Sequence, residues 1–161
     1  RIAGTLRSAD MIGRLGGEEF LAILNPANEE TAVQVMERAR RDNSTRARAA
    51  VDVALERHGQ ERLVFVLGNA PTALLRLLER LRENTHGETA QPVLPALIVG
   101  MPVGFVNAAE SKALLVKQGQ EAQDLNVPYI TIEGRKGGSP LAAATVNALA
   151  ELVLAERTQA E

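Results

Sequence analysis

Three short segments hold the residues best suited to chemistry: Gly68-Asn69-Ala70-Pro71-Thr72, Gly100-Met101-Pro102-Val103-Gly104-Phe105 and Gly134-Arg135-Lys136-Gly137-Gly138-Ser139. Glycine and proline let a backbone come close to a ligand, and the amides at the start of a following helix favour negative charge. Arg135 and Lys136 strengthen that preference, so the chemistry suggested is recognition of anionic groups. Asn69, Thr72, Glu110, Ser111, Lys112 and Ser139 add donors and acceptors beside the loops, although Glu110 and Ser139 also suit helix caps. None of the segments matches the dinucleotide fingerprint or the Walker pattern. For any one loop alone a tight turn is the better account of the glycines; three in succession point to a site.

Nucleophilic and metal chemistry find less support. The chain has no cysteine, which removes disulfides, thiolate nucleophiles and cysteine-ligated metals together. Its two histidines, His58 and His86, read as solvated surface residues away from the glycine segments, and they make a poor metal site. No nucleophile has a plausible base. Neither a metal nor a cofactor is expected.

The 161 residues, 45% hydrophobic and 24% charged, fit one domain of ordinary composition. A formal net charge of −2 argues against nucleic-acid binding driven by a cationic field, and 2% aromatic residues give too few rings for base stacking. No apolar run approaches the roughly 20 residues that a membrane span needs. The expectation is a soluble, cytoplasmic protein with no membrane contact.

The elements that must position the three loops follow from hydrophobic periodicity. Two short apolar stretches flanking Gly16-Gly17 read as a β-hairpin, because the glycines supply the positive φ angles of a tight reversal. Asn28 suits the N-cap of a helix that begins with Glu29 and Glu30 and ends among Arg38, Arg40 and Arg41, matching the helix dipole at both ends. A second helix from about Ser44 to Gly59 carries Ala47, Ala50, Val51, Ala54 and Leu55 on one face. Residues 63–67 are apolar on both faces, as in a parallel strand covered on both sides, 96–99 read as a second buried strand and 129–132 as a third. Each runs into one glycine segment and then a helix. Leu74, Leu75, Leu77, Leu78 and Leu81 form the inward stripe of the first of these helices. The second starts near Asn107. The third is capped by Ser139 and turns Leu141, Ala144, Thr145, Ala148, Leu149, Leu152 and Val153 inward, while residues 83–91 read as a loop. Three strand, loop, helix units in succession predict a three-layer α/β fold: a parallel sheet with right-handed crossovers, preceded by the hairpin. All three loops then emerge at the carboxyl edge of one sheet, where open α/β folds take their ligands.

These residues also resemble a known family. Asn43-Ser44-Thr45-Arg46, Gly68-Asn69-Ala70-Pro71-Thr72-Ala73-Leu74, the stretch from Gly100 through Ser111 to Lys112, and Gly134-Arg135-Lys136-Gly137-Gly138-Ser139 are similar to precorrin-8X methylmutases over residues 43–152. The resemblance implies an isomerase of cobalamin biosynthesis. It would move a methyl group from C-11 to C-12 of the corrin ring, giving hydrogenobyrinic or cobyrinic acid without an organic cofactor. The implied ligand is a tetrapyrrole, precorrin-8X or cobalt-precorrin-8, and the implied assembly a homodimer. Such a reaction needs protonation of the macrocycle and a pocket that holds it by its carboxylates. The residues implied to bind it are Thr45, Arg46, Gly68, Asn69, Ala70, Pro71, Thr72, Gly100, Pro102, Val103, Gly104, Phe105, Glu110, Ser111, Lys112, Gly134, Arg135, Gly137, Gly138 and Ser139. The family's proton-transferring histidine lies in a Val-His-Ala-type segment without counterpart here. Neither His58 nor His86 inherits its role, and no catalytic residue is assigned.

The front of the chain resembles a different family. Arg7-Ser8-Ala9-Asp10, followed by Gly16-Gly17-Glu18-Glu19-Phe20, looks like part of a GGDEF diguanylate cyclase domain over residues 1–41. That likeness implies cyclic di-GMP contact through Arg7 and Asp10 and a nucleotide-binding remnant at Gly16, Gly17 and Glu18. Ordinary surface ion pairs account for the same charges. The chain thus reads as a fusion or chimera with a junction near Arg41 to Asn43: a GGDEF-like hairpin and helix over 1–42 and a methylmutase-like α/β region over 43–161, packed as one unit. The readings opened by the sequence are a corrinoid isomerase, a corrinoid-binding module without turnover, a cyclic di-GMP receptor, and a folded chain without activity.

Overall fold

The computed structural model describes residues 11–14, 20–23, 29–85, 94–120 and 126–159. Among them the elements run β1 (Met11–Arg14), β2 (Phe20–Ile23), α1 (Glu29–Arg41), α2 (Arg46–His58), β3 (Val64–Leu67), α3 (Pro71–Thr85), β4 (Leu97–Gly100), α4 (Ala108–Gln120), β5 (Tyr129–Thr131) and α5 (Ser139–Gln159). Arg7, Asp10, Gly16, Gly17, Glu18, Asn28 and His86 lie outside the described residues. β1 and β2 pair antiparallel, with Met11 opposite Ile23 and Arg14 opposite Phe20.

β3, β4 and β5 form a parallel sheet in that order, with Val66 beside Val99 and Val99 beside Ile130. Parallel neighbours cannot be joined by a hairpin, and α3 and α4 supply the two crossovers. Side chains alternate across a strand, so Ile98 and Val99 of the central strand face opposite layers. Both are fully buried. Ile98 joins Phe65, Leu67, Leu115 and the α3 stripe of Leu74, Leu77, Leu78 and Leu81, with Val51 of α2 behind them. Val99 joins Met101 and Ala142 on the α5 side. The architecture is therefore α/β in three layers, with α3 and α4 on one face of the sheet and α5 on the other.

α2 is buried from two sides. Ala49, Ala50 and Val53 pack on Val35 and Ala39 of α1 in a small separate cluster, while Val51 points into the main core. Between them Asp52 is only 5% exposed and is held by Arg76 at 2.9 Å and Arg80 at 3.6 Å.

The α5 stripe expected from periodicity is not what the helix buries. Ala142 is buried and Thr145 and Leu149 are half-buried, but Leu141, Ala144, Ala148, Leu152 and Val153 are exposed. Alanine, leucine and valine occupy most of this helix's circumference, so periodicity alone does not select one inward face. Smaller shifts have local causes. α3 continues through Thr85, past the expected loop start at residue 83, because Arg82 and Glu83 are good helix formers on an exposed face. β3, at the edge of this sheet, leaves Val64 38% exposed. Gly138, not Ser139, offers the carbonyl that begins α5, accepting from Leu141 and Ala142 at 3.1 Å each.

Candidate functional site

The three glycine loops interlock at the carboxyl edge of the sheet. Met101 N–H donates to the Leu67 carbonyl at 2.8 Å and Val103 N–H to the Asn69 carbonyl at 3.3 Å, joining the second loop to the first. Gly138 N–H donates to the Met101 carbonyl at 2.9 Å and Gly104 N–H to the Arg135 carbonyl at 3.4 Å, joining the third loop to the second. The first and third loops also touch: a Cβ on Gly68 would come within 2.6 Å of the Ser139 α-carbon. Only a residue without a side chain permits that approach.

Several loop amides are spent on these mutual bonds. Sequence reasoning offered them to a ligand; the structure uses those of Met101, Val103, Gly104 and Gly138 to hold the loops together. Cationic side chains are left to meet an anion. Arg135 and Lys136 are exposed on the third loop. The Arg135 guanidinium stacks over the Phe105 ring, 5.7 Å from its centroid, and Phe105 is 85% exposed. Stacking restrains the long arginine side chain while leaving its N–H edges able to bond a carboxylate. These two residues are 30 apart in the chain, and nothing in the local pattern couples them.

The start of α2 reaches the same edge. Thr45 caps the helix, its hydroxyl accepting from Arg48 N–H at 3.2 Å, and that hydroxyl lies 3.2 Å from the Thr72 hydroxyl at the start of α3. Arg46, the first residue of α2, is exposed there. His58 ends the same helix, about 18 Å away at the ordinary rise per residue, and its Nδ1 lies 2.9 Å from Glu61.

Other expected residues sit differently. Ser111 is fully buried and its hydroxyl donates to the Ala108 carbonyl of its own helix at 3.2 Å. Lys112 is 1% exposed, and its ammonium donates to the Lys136 carbonyl. Burial pushes that ammonium below the ordinary lysine range. Pro102 is fully buried, whereas Val103 and Glu110 are exposed. A cavity of about 490 Å³ opens on the α4 side of the third loop, lined by Lys112, Val116, Thr131, Ile132 and Gly134 among others; the first two loops do not line it. Among the described residues no cluster of three histidine, cysteine, aspartate or glutamate residues is placed to hold a metal, and no helix is long and apolar enough to cross a membrane.

A parallel sheet whose carboxyl-edge loops are bonded to one another belongs to the open α/β class, in which ligands meet the carboxyl ends of the strands. Comparison with known proteins narrows the class. The model of the precorrin-8X methylmutase family matches residues 25–152, and the chain belongs to that family. A precorrin-8X methylmutase from Pseudomonas aeruginosa is 54% identical over 101 residues, covering 61% of this chain and 42% of the relative. A cobalt-precorrin-8 methylmutase from Salmonella typhimurium is 42% identical over 139 residues, covering 86% of this chain and 54% of the relative. The crystal structure of a precorrin-8X methylmutase from Thermus thermophilus superposes with a TM-score of 0.60 at 38% identity, covering 81% of this chain and 53% of that one. The chain spans about half the length of these relatives. The family match takes in α1, which the sequence reading had placed with the front segment.

Proposed function

We propose that this chain carries the corrinoid-binding face of a methylmutase-type isomerase of cobalamin biosynthesis, acting on precorrin-8X or cobalt-precorrin-8. The observation that carries the reading is the hydrogen-bonded interlock of the three loops in a member of this family. A corrin ring bears many carboxylates around an apolar plane. Arg46, Arg135 and Lys136 supply charge for the carboxylates, and Phe105, Val103 and Val106 supply exposed apolar surface beside them. Gly68, Gly100, Gly137 and Gly138 shape the backbone that carries those side chains. Ser111 and Lys112 support the loops from behind. The methyl shift from C-11 to C-12 requires proton transfer to the ring, and no residue of this chain is assigned to it. We further propose a cytoplasmic homodimer.

The test is incubation of the purified chain with precorrin-8X, followed by its visible spectrum. Conversion to the hydrogenobyrinic acid spectrum supports turnover. An unchanged spectrum with saturable binding of hydrogenobyrinic acid reduces the reading to a binding face, and no binding removes it.

The motif likeness of Arg7, Asp10 and residues 16–20 to GGDEF domains supports a second, separate reading, a cyclic di-GMP contact in the segment that precedes the family match. Calorimetry with cyclic di-GMP on the wild type and Arg7→Ala tests it; binding indifferent to the substitution counts against it.

A further inference from the structure

We infer that Lys112 is a positioning residue of the corrinoid-binding face: from α4, through the Lys136 carbonyl, it fixes the third loop, and with it Arg135, against the second. This rests on the proposed function above. Lys112 does not present its charge at the surface, because it is 1% exposed. Its ammonium reaches across 24 residues of sequence to the backbone between Arg135 and Gly137. The helix that carries it is rooted in the core by Ser111 and Leu115, both fully buried. Two backbone bonds tie the same loop to the second one, Gly138 N–H to the Met101 carbonyl and Gly104 N–H to the Arg135 carbonyl. Lys112 is thus a tie to the third loop that originates outside the loops themselves.

The cost of that tie argues against fold stability as its reason. Among the described residues Lys112 forms no ion pair, and its partner is a neutral carbonyl. Burying an ammonium without a countercharge is unfavourable, and a methionine of similar length would fill the space without that penalty. A structural lysine and a positioning lysine therefore make opposite predictions. If the residue served stability, its removal would lower the melting temperature. If it serves the loop, Lys112→Met leaves the melting temperature unchanged or raises it, while the loop loosens.

The experiment compares the wild-type chain with Lys112→Met by amide hydrogen exchange, thermal melting and titration with hydrogenobyrinic acid. The expected result is exchange at least tenfold faster at Gly104 and Gly138, unchanged exchange in β3 and β4, and affinity at least tenfold weaker. Unchanged exchange at both glycines overturns the inference, as does a lowered melting temperature with unchanged affinity. Should the wild type not bind the ligand, the functional reading fails and the exchange comparison still decides whether Lys112 braces the loop. Should Lys112→Met not fold, the wild type gives the answer. The Gly137 amide nitrogen shares its peptide group with the Lys136 carbonyl, and its shift must then follow the Lys112 ε-carbon through a pH titration. Lys117 of the same helix and Glu133 before the loop line the same cavity, so their own signals are followed alongside. A Gly137 signal that does not share the Lys112 midpoint overturns the inference.

Discussion

Gly137 lies so close to Met101 that a Cβ built on it would stand 2.4 Å from the Met101 carbonyl oxygen and 2.6 Å from that of Pro102. Both obstacles are backbone, so neither can swing aside. Gly137→Ala must push the third loop off the second, and the expected cost is about 1–3 kcal/mol. Chemical denaturation measures it. Loss of corrinoid binding beyond what the remaining folded fraction explains is expected in the same variant.

Asp52 is a carboxylate buried between α2 and α3 and compensated by two arginines from α3. Arg76 also bonds Glu79 at 3.1 Å, so its charge keeps one partner when Asp52 is removed. Asp52→Ala is expected to destabilise the fold by about 3 kcal/mol, the lower end for breaking a buried pair. Urea unfolding checks this, and the three loops, which Asp52 does not touch, keep their chemical shifts.

Thr45 joins two helix starts. Thr45→Ala removes the cap on Arg48 N–H and the contact with Thr72, for an expected loss of about 1 kcal/mol. Thr45→Ser keeps the oxygen and is expected to restore most of it. Thermal melts of the two variants make the comparison.

Lys112 gives the chain a pH dependence of a particular sign. Its folded-state pKa lies below the ordinary lysine value of 10.5 because burial disfavours the charged form. Between the two values the unfolded chain binds more protons than the folded one, so stability rises with pH across that interval. Lys112→Met lacks this rise. The difference between the two stability curves isolates it from the exposed lysines, because the charged groups that share its cavity or stand on the loop it bonds, Lys117, Glu133, Arg135 and Lys136, are present in both proteins.

Much of this was legible in the sequence because the relevant signals are local. The strand at residues 64–67, the leucine stripe of α3 and the glycine loops follow from short-range periodicity and turn chemistry. The parallel direction of β3, β4 and β5 follows from the repeated crossover, and so does the gathering of the loops at one edge. Pairings across the chain were not legible. Nothing near Phe105 announces Arg135, and Asp52 stands in a helix otherwise read as apolar on the inside, its arginines 24 and 28 residues away. Lys112 read as a donor offered to the ligand beside the loops, because a buried, uncompensated lysine is rare. α5 failed for the opposite reason: its apolar residues surround the axis, so the pattern named a face of which only Thr145 and Leu149 are even half-buried.

The central claim is that the loops at 68–72, 100–105 and 134–139 act as one ligand face. It is tested most directly by following backbone amides during titration with hydrogenobyrinic acid. Asn69, Val103 and Gly138 are expected to shift together with a single Kd, which Arg135→Ala weakens at least tenfold. Shifts confined to one loop, separate dissociation constants for the three, or no saturable change at any of them would contradict the account.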